Sequence, residues 1–153
     1  MERQLVFELP NDLRYIEETV DFVVSHCSTC DEVARKLRLN FRVSLVEALS
    51  NAMIYGNGRD PSKRVHVEVF LGEGSVTARV TDEGAGFDPG VVPDPTVPAN
   101  VCKDSGRGLF LMRELMDEVR YNARGNSVTL ILHLPLPPNG SSKPPKGKKE
   151  ASA

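Results

Sequence analysis

Positions 4–9 alternate apolar and polar residues and are closed by Pro10, which predicts a strand; Asn11 or Asp12 then caps a helix expected to run to about Ser25. Positions 31–39 read as a short helix and 40–55 as a longer one, stopped by Gly56 and Gly58. Val65, Val67, Val69 and Leu71 share one side of an alternating run, and Gly72, Glu73 and Gly74 turn it into a second strand at 75–81, a hairpin. From 88 to 104 Pro and Val are frequent but no period is sustained, and a connection that long inside a compact domain predicts a functional lid. Leu109, Met112, Leu115 and Met116 then fall on one face of a helix, and strands at 119–122 and 128–134 follow, joined by a turn about Gly125. Beyond Pro135 the chain is Pro, Gly, Ser and Lys with no apolar surface to offset the entropy of ordering, so one domain at 1–134 and a disordered tail at 135–153 are expected.

Composition narrows the function classes. With 153 residues, 40% of them hydrophobic and 26% charged, the chain can bury one sizeable core but not two. A net charge of -2 lacks the cationic excess that neutralises a phosphate backbone, so no direct nucleic-acid partner is expected. No apolar run approaches the roughly 18 residues of a membrane span, and the first ten positions alternate like a strand where a signal peptide would be continuously apolar. A cytoplasmic protein without a membrane partner is the expectation, and three cysteines, too few for a disulfide framework, fit a reducing compartment. His26, Cys27 and Cys30 could be imagined as metal ligands in a C-x-x-C, but only Cys102 remains as a further thiol, which favours reduced, partly buried cysteines.

Three short stretches carry candidate chemistry. On the helix containing Leu45, Val46, Leu49 and Met53 as its apolar stripe, Glu47 and Asn51 are four apart and stand one turn from each other on a different face, within reach of one ligand. Taken alone, such a pair is ordinary for a solvated face. In the strand ending at Asp82, Val76, Ala78, Val80 and Asp82 point the same way, so an apolar face ends in a carboxylate, followed by Gly84 and Gly86, which let a ligand approach the backbone. An adenine amino group would suit it, and a plain turn-capping Asp would look the same. Third, Ser105, Gly106, Arg107, Gly108 and Leu109 read as a flexible loop entering a helix, where free amides, the dipole and a cation favour phosphate, although no P-loop or dinucleotide fingerprint is present.

The order of the pieces is more telling than any one of them. A helix with Glu47 and Asn51, a strand ending Asp-x-Gly-x-Gly, a lid, and Gly-x-Gly opening a helix together resemble the GHKL nucleotide-binding fold of gyrase-type ATPases, histidine kinases and mismatch-repair ATPases. The stretch from Phe87 to Val119 is most similar to the stand-alone anti-sigma-factor serine kinases, and the likeness covers about residues 4–134. That resemblance implies an α/β (α+β) two-layer sandwich, a mixed sheet covered on one face by helices, with ATP and Mg²⁺ between helices and lid. It implies that Asn51 ligates Mg²⁺, Asp82 bonds adenine, Gly84 and Gly86 shape the base pocket, and Ser105, Gly106, Arg107, Gly108 and Leu109 cover the phosphates. Glu47 would be the general base on an acceptor serine, and Ser127 would stand beside adenine. The implied partners are an anti-sigma-factor antagonist as phospho-acceptor and an RNA polymerase sigma factor, with a homodimer as a possible assembly; the alternative is an ATP-binding regulatory module, or an ATPase, whose nucleotide state tunes partner binding without phosphotransfer. A histidine kinase would need a helical hairpin bearing its phospho-acceptor, and His26, His66 and His133 do not lie on one. Tyr55 departs from the histidine of many relatives.

Overall fold

A computed structural model describes residues 3–27, 35, 37–72, 74–85 and 104–134, with positions 38 and 104–107 described in backbone only. Among these, strands β1 (Arg3–Pro10), β2 (Arg64–Leu71), β3 (Ser75–Thr81), β4 (Glu118–Tyr121) and β5 (Ser127–His133) form one sheet in the order β1-β2-β3-β5-β4. Helices α1 (Ile16–Ser25), α2 (Arg42–Asn51) and α3 (Asp104–Leu115) pack beside it.

Every neighbouring pair of strands is antiparallel, which corrects the expected mixed sheet. The connections explain this. β2 to β3 and β4 to β5 are hairpins, and among the described residues α1 and α2 lie between β1 and β2, which pair antiparallel. β4, which follows α3, runs in the same direction as β3, but β5 lies between them and opposes both. The α/β layering itself is as expected.

Alternation sets the sheet's two faces. Val65, Val67, Val69 and Leu71 of β2, Val76, Ala78 and Val80 of β3, and Val128, Leu130 and Leu132 of β5 are buried in one core with Val20 and Val23 of α1, Leu45 and Leu49 of α2, and Met112 of α3. Each fully buried Val or Leu adds about 1.5–3 kcal/mol relative to leaving it in water. β1 tolerates Pro10 because it lies at a sheet edge and Pro10 is its last residue. Asp12 caps the turn that enters α1, its side chain accepting the Arg14 N–H, as its position before the helix suggests.

The helix predicted at 40–55 is interrupted. α2 is flanked by widened, π-helical turns at Leu37–Phe41 and Ala52–Gly56, each with the register of i→i+5 bonding. α2 is packed by α1 on one side and α3 on the other, so Ser44, Leu45, Ala48 and Leu49 are all buried and its apolar stripe is broad and blunt. The helix expected at 31–39 falls largely outside the described residues, as does the lid expected at 88–104, of which only Asp104 is described, in α3; the tail at 135–153, Cys30 and Cys102 fall wholly outside them. Among the described residues no helix is long and apolar enough to cross a membrane.

Candidate functional site

Glu47 and Asn51 sit on the flank of α2 that faces α3, and the two helices meet at Gly108. A β-carbon placed on Gly108 would lie 2.8 Å from Glu47 Oε1, 3.0 Å from Asn51 Nδ2 and 3.5 Å from Asn51 Oδ1. The ends of both side chains therefore converge on one glycine, and only a residue without a β-carbon leaves them that room. Helical spacing brings Glu47 and Asn51 to one face; the packing of α2 against α3 brings Gly108 to them, while Leu109 is buried in the core.

The second half of the site is the turn after β3. Asp82 continues the inward side of that strand and is only 9% exposed. Its Oδ1 accepts the Gly84 N–H at 2.8 Å, and its backbone is held by the first residues of β5's approach, its N–H donating to Asn126 O at 2.9 Å and its carbonyl accepting Asn126 Nδ2 at 3.3 Å. Burial raises the Asp82 carboxyl above the ordinary carboxylate range; the Gly84 N–H and the nearby Lys63 and Arg124 charges oppose this without cancelling it. A β-carbon on Gly56 would run into the Asp82 carboxylate, and one on Gly84 would run into the Gly56 carbonyl oxygen. The end of the second π-helical turn and the turn at 82–84 are thus in direct backbone contact, with Asp82 wedged beside them.

A carboxyl whose pKa rises on folding costs stability once it ionises: its contribution is intact below the usual value of 3.8 and is lost as pH climbs through the raised one. Asp82→Asn keeps the oxygen that accepts from Gly84 and removes the charge. It is expected to unfold at a higher temperature than wild type at pH 7 and to lose the decline in stability just above pH 3.8, as followed by thermal melts across pH. A lower melting temperature at pH 7 would show that the nearby cations outweigh burial.

Several predicted residues lie elsewhere or beyond description. Gly86 is outside the described residues. Ser105, Gly106 and Arg107 belong to α3, where the sequence predicts a flexible loop; the helix as described, Asp104–Leu115, takes in both glycines. Ser127 pairs with Thr81, their hydroxyls 2.8 Å apart, on the side of the sheet opposite Val80 and Val128. The neighbouring Asn126 hydrogen-bonds the Asp82 backbone. Gly56 reads from the sequence only as a helix stop, and Asn57 and Asn126 carry no site signal there: Asn57 follows that stop and Asn126 a turn glycine, so their contacts come from tertiary packing.

Cys27 closes α1 in a buried position, its thiol donating to Val23 O at 3.5 Å. Burial pushes that thiol up to about 11, which keeps it protonated and unreactive near neutral pH and fits the reduced structural role. His66 and His133 lie in β2 and β5 as expected, His66 between the Glu8 and Glu83 carboxylates.

A family model described as the histidine kinase-like ATPase domain matches residues 9–132. The chain is 31% identical over 120 residues to the anti-sigma F factor of Anoxybacillus flavithermus, covering 74% of this chain and 77% of that one. It is 30% identical over 114 residues to the anti-sigma F factor of Geobacillus stearothermophilus, covering 72% and 73% of the two chains. Similarity extends to the serine-protein kinase RsbW of Listeria monocytogenes, 28% over 102 residues, covering 62% and 65%.

Proposed function

Because the chain belongs to the histidine kinase-like ATPase domain family, we propose that it is a Mg²⁺-ATP-dependent kinase that phosphorylates a serine or threonine of a partner protein. The observation that carries this reading is the convergence of Glu47 and Asn51 on Gly108. A carboxylate beside an amide, one helical turn apart and both set against a backbone without a β-carbon, is a constellation that in-line phosphoryl transfer can use. Glu47 takes the proton of the acceptor hydroxyl as that oxygen bonds to the γ-phosphorus and the bond to the ADP oxygen breaks. Asn51 orients the triphosphate from the next turn of the same helix.

The donors suit a hard cation. Asn51 offers an amide oxygen and Glu47 a carboxylate beside Gly108, and Mg²⁺ on a nucleotide needs only one or two protein ligands besides phosphate oxygens and water. When bound through Asn51, the ion supplies charge neutralisation of the phosphates. Asp82 accepts from the adenine amino group, Gly84 keeps the base close to the backbone, and the glycines at 106 and 108, with Ser105, Arg107 and Leu109, cover the phosphates. Gly86, as part of the base pocket, and Ser127, as the residue beside adenine, belong to the same proposal.

The similarity to anti-sigma F factors and to a serine-protein kinase supports a partner pair: an antagonist protein as phospho-acceptor and a sigma factor held and released according to the phosphorylation state. Such exchange would take place in the cytoplasm, with a homodimer as a natural assembly, and the ordered domain would end near 134. The test is transfer of label from γ-labelled Mg²⁺-ATP into proteins of a soluble extract, wild type against Glu47→Ala. A small protein labelled by wild type alone supports the kinase and identifies its substrate. ATP binding without any label moves the chain to the class of nucleotide-tuned binding modules.

Gly108→Ala probes the same geometry independently. Alanine gains about 0.5–1 kcal/mol of helix propensity, which offsets the crowding of Glu47, a flexible side chain that can give way. Melting should change little. Transfer should fall by roughly tenfold or more, because displacing a reacting group by about 1 Å is enough to cost that much. Full activity in Gly108→Ala would detach the chemistry from this glycine.

A further inference from the structure

The turn that carries Asp82 is not held by β3 alone. Asn57, just past the second π-helical turn, is 2% exposed and uses every polar atom it has. Its Oδ1 accepts the Glu83 N–H at 2.7 Å, and its Nδ2 donates to Asn11 Oδ1 at 3.1 Å and to Arg64 O at 3.0 Å. Its own N–H reaches Ala52 O at 2.7 Å, and its carbonyl takes the Asp60 N–H at 3.1 Å. The amide has one possible orientation, since Glu83 N–H can only donate and Arg64 O can only accept. Asn11 extends the network by donating from Nδ2 to Met53 O at 3.2 Å and to Asp60 O at 3.0 Å.

One buried carboxamide therefore joins the end of the α2 path, the segment leaving β1, the start of β2 and the residue between Asp82 and Gly84. The geometry points to Asn57 as the positioning residue that sets where the Asp82 carboxylate stands, and so how well the protein selects adenine over other bases; this rests on Asp82 being the adenine acceptor. The physical reason is leverage. Gly84, Gly56 and Asp82 are packed so closely that no β-carbon fits among them, and a hydrogen bond to the peptide between 82 and 83 fixes their separation. Glu83 is also gripped from outside, by the Arg64 N–H at 3.0 Å and His66 Nε2 at 3.1 Å, but those bonds are at the surface, where water competes, and they hold the side chain more than the peptide.

The prediction separates positioning from mere stability. Dissociation constants for ATP and for purine riboside triphosphate, which lacks the 6-amino group, are measured on the full chain with Mg²⁺. Their ratio on one preparation does not depend on the fraction that is folded. Wild type is expected to prefer ATP, and Asn57→Ala to reduce that preference about tenfold, the worth of one well-placed hydrogen bond to a charged group, with affinity for the analogue nearly unchanged. Asn11→Ala, which removes one anchor of the Asn57 amide, should move the ratio the same way by less, and it carries the test if Asn57→Ala does not fold. A wild-type ratio retained in the variants that fold would overturn the proposal alone. No preference for ATP in wild type would instead overturn the adenine assignment of Asp82, and this inference with it.

Discussion

Replacing Glu47 with alanine is expected to slow phosphoryl transfer by about 100-fold or more, the scale of a lost general base, while ATP affinity stays near that of wild type. The expectation follows from position. Glu47 stands on the α3-facing flank of α2 and is not among the residues of the core, so shortening it opens no cavity, and Asn51 remains on the next turn to hold the triphosphate. Glu47→Gln isolates the proton from the packing: it keeps the size and the hydrogen-bonding ends but cannot take a proton at neutral pH. If Glu47→Gln and Glu47→Ala are both slow in single-turnover transfer, with ATP titrations unchanged, the carboxylate is the base. Wild-type rates in either would remove Glu47 from the chemistry.

The second large effect is structural. A β-carbon on Gly84 meets the Gly56 carbonyl oxygen, with the carbonyl carbon 2.7 Å away, and neither is the tip of a side chain that can swing aside. Gly84→Ala must therefore part the turn at 82–84 from the end of the α2 path. Overpacking of this kind costs about 1–3 kcal/mol. The same shift disturbs the bond from Gly84 N–H to Asp82, so ATP affinity should fall by roughly tenfold or more alongside stability. Gly56→Ala makes the informative contrast. Its β-carbon meets the Asp82 side chain, which can rotate away, so its stability should suffer less than that of Gly84→Ala while its base recognition suffers as much. Denaturant midpoints and ATP titrations on both variants test the pair, and equal stability losses would show that the carboxylate is as fixed as the backbone.

The strands were legible because their signal is local. Alternation in β2, β3 and β5 puts Val65, Val76 and Val128 with their i+2 partners on one side, and no other arrangement buries them. The helix stripe of Leu45 and Leu49 and the inward placement of Asp82 beyond Val80 are legible for the same reason. What periodicity does not encode is where an element is widened or which elements touch. The π-helical turn at Ala52–Gly56 ends against Asp82 and Gly84, a contact between segments far apart in sequence that no local pattern carries. Strand direction in the sheet was missed because it follows from how many helical passes separate two strands and from which strand enters between them.

The candidate site divides along the same line. The sequence by itself determined the chemistry available: a carboxylate and an amide one helical turn apart, an acid ending an apolar strand face, and glycines following each. Spacing along one element suffices for that, because a helix or a strand fixes the directions of its own side chains. Only the tertiary structure decided which glycine meets which side chain. Gly108 lies against Glu47 and Asn51, Gly56 against Asp82, and Asn57 across four segments, since those contacts join residues whose proximity comes from the shared core beneath them and from no pattern within any one segment.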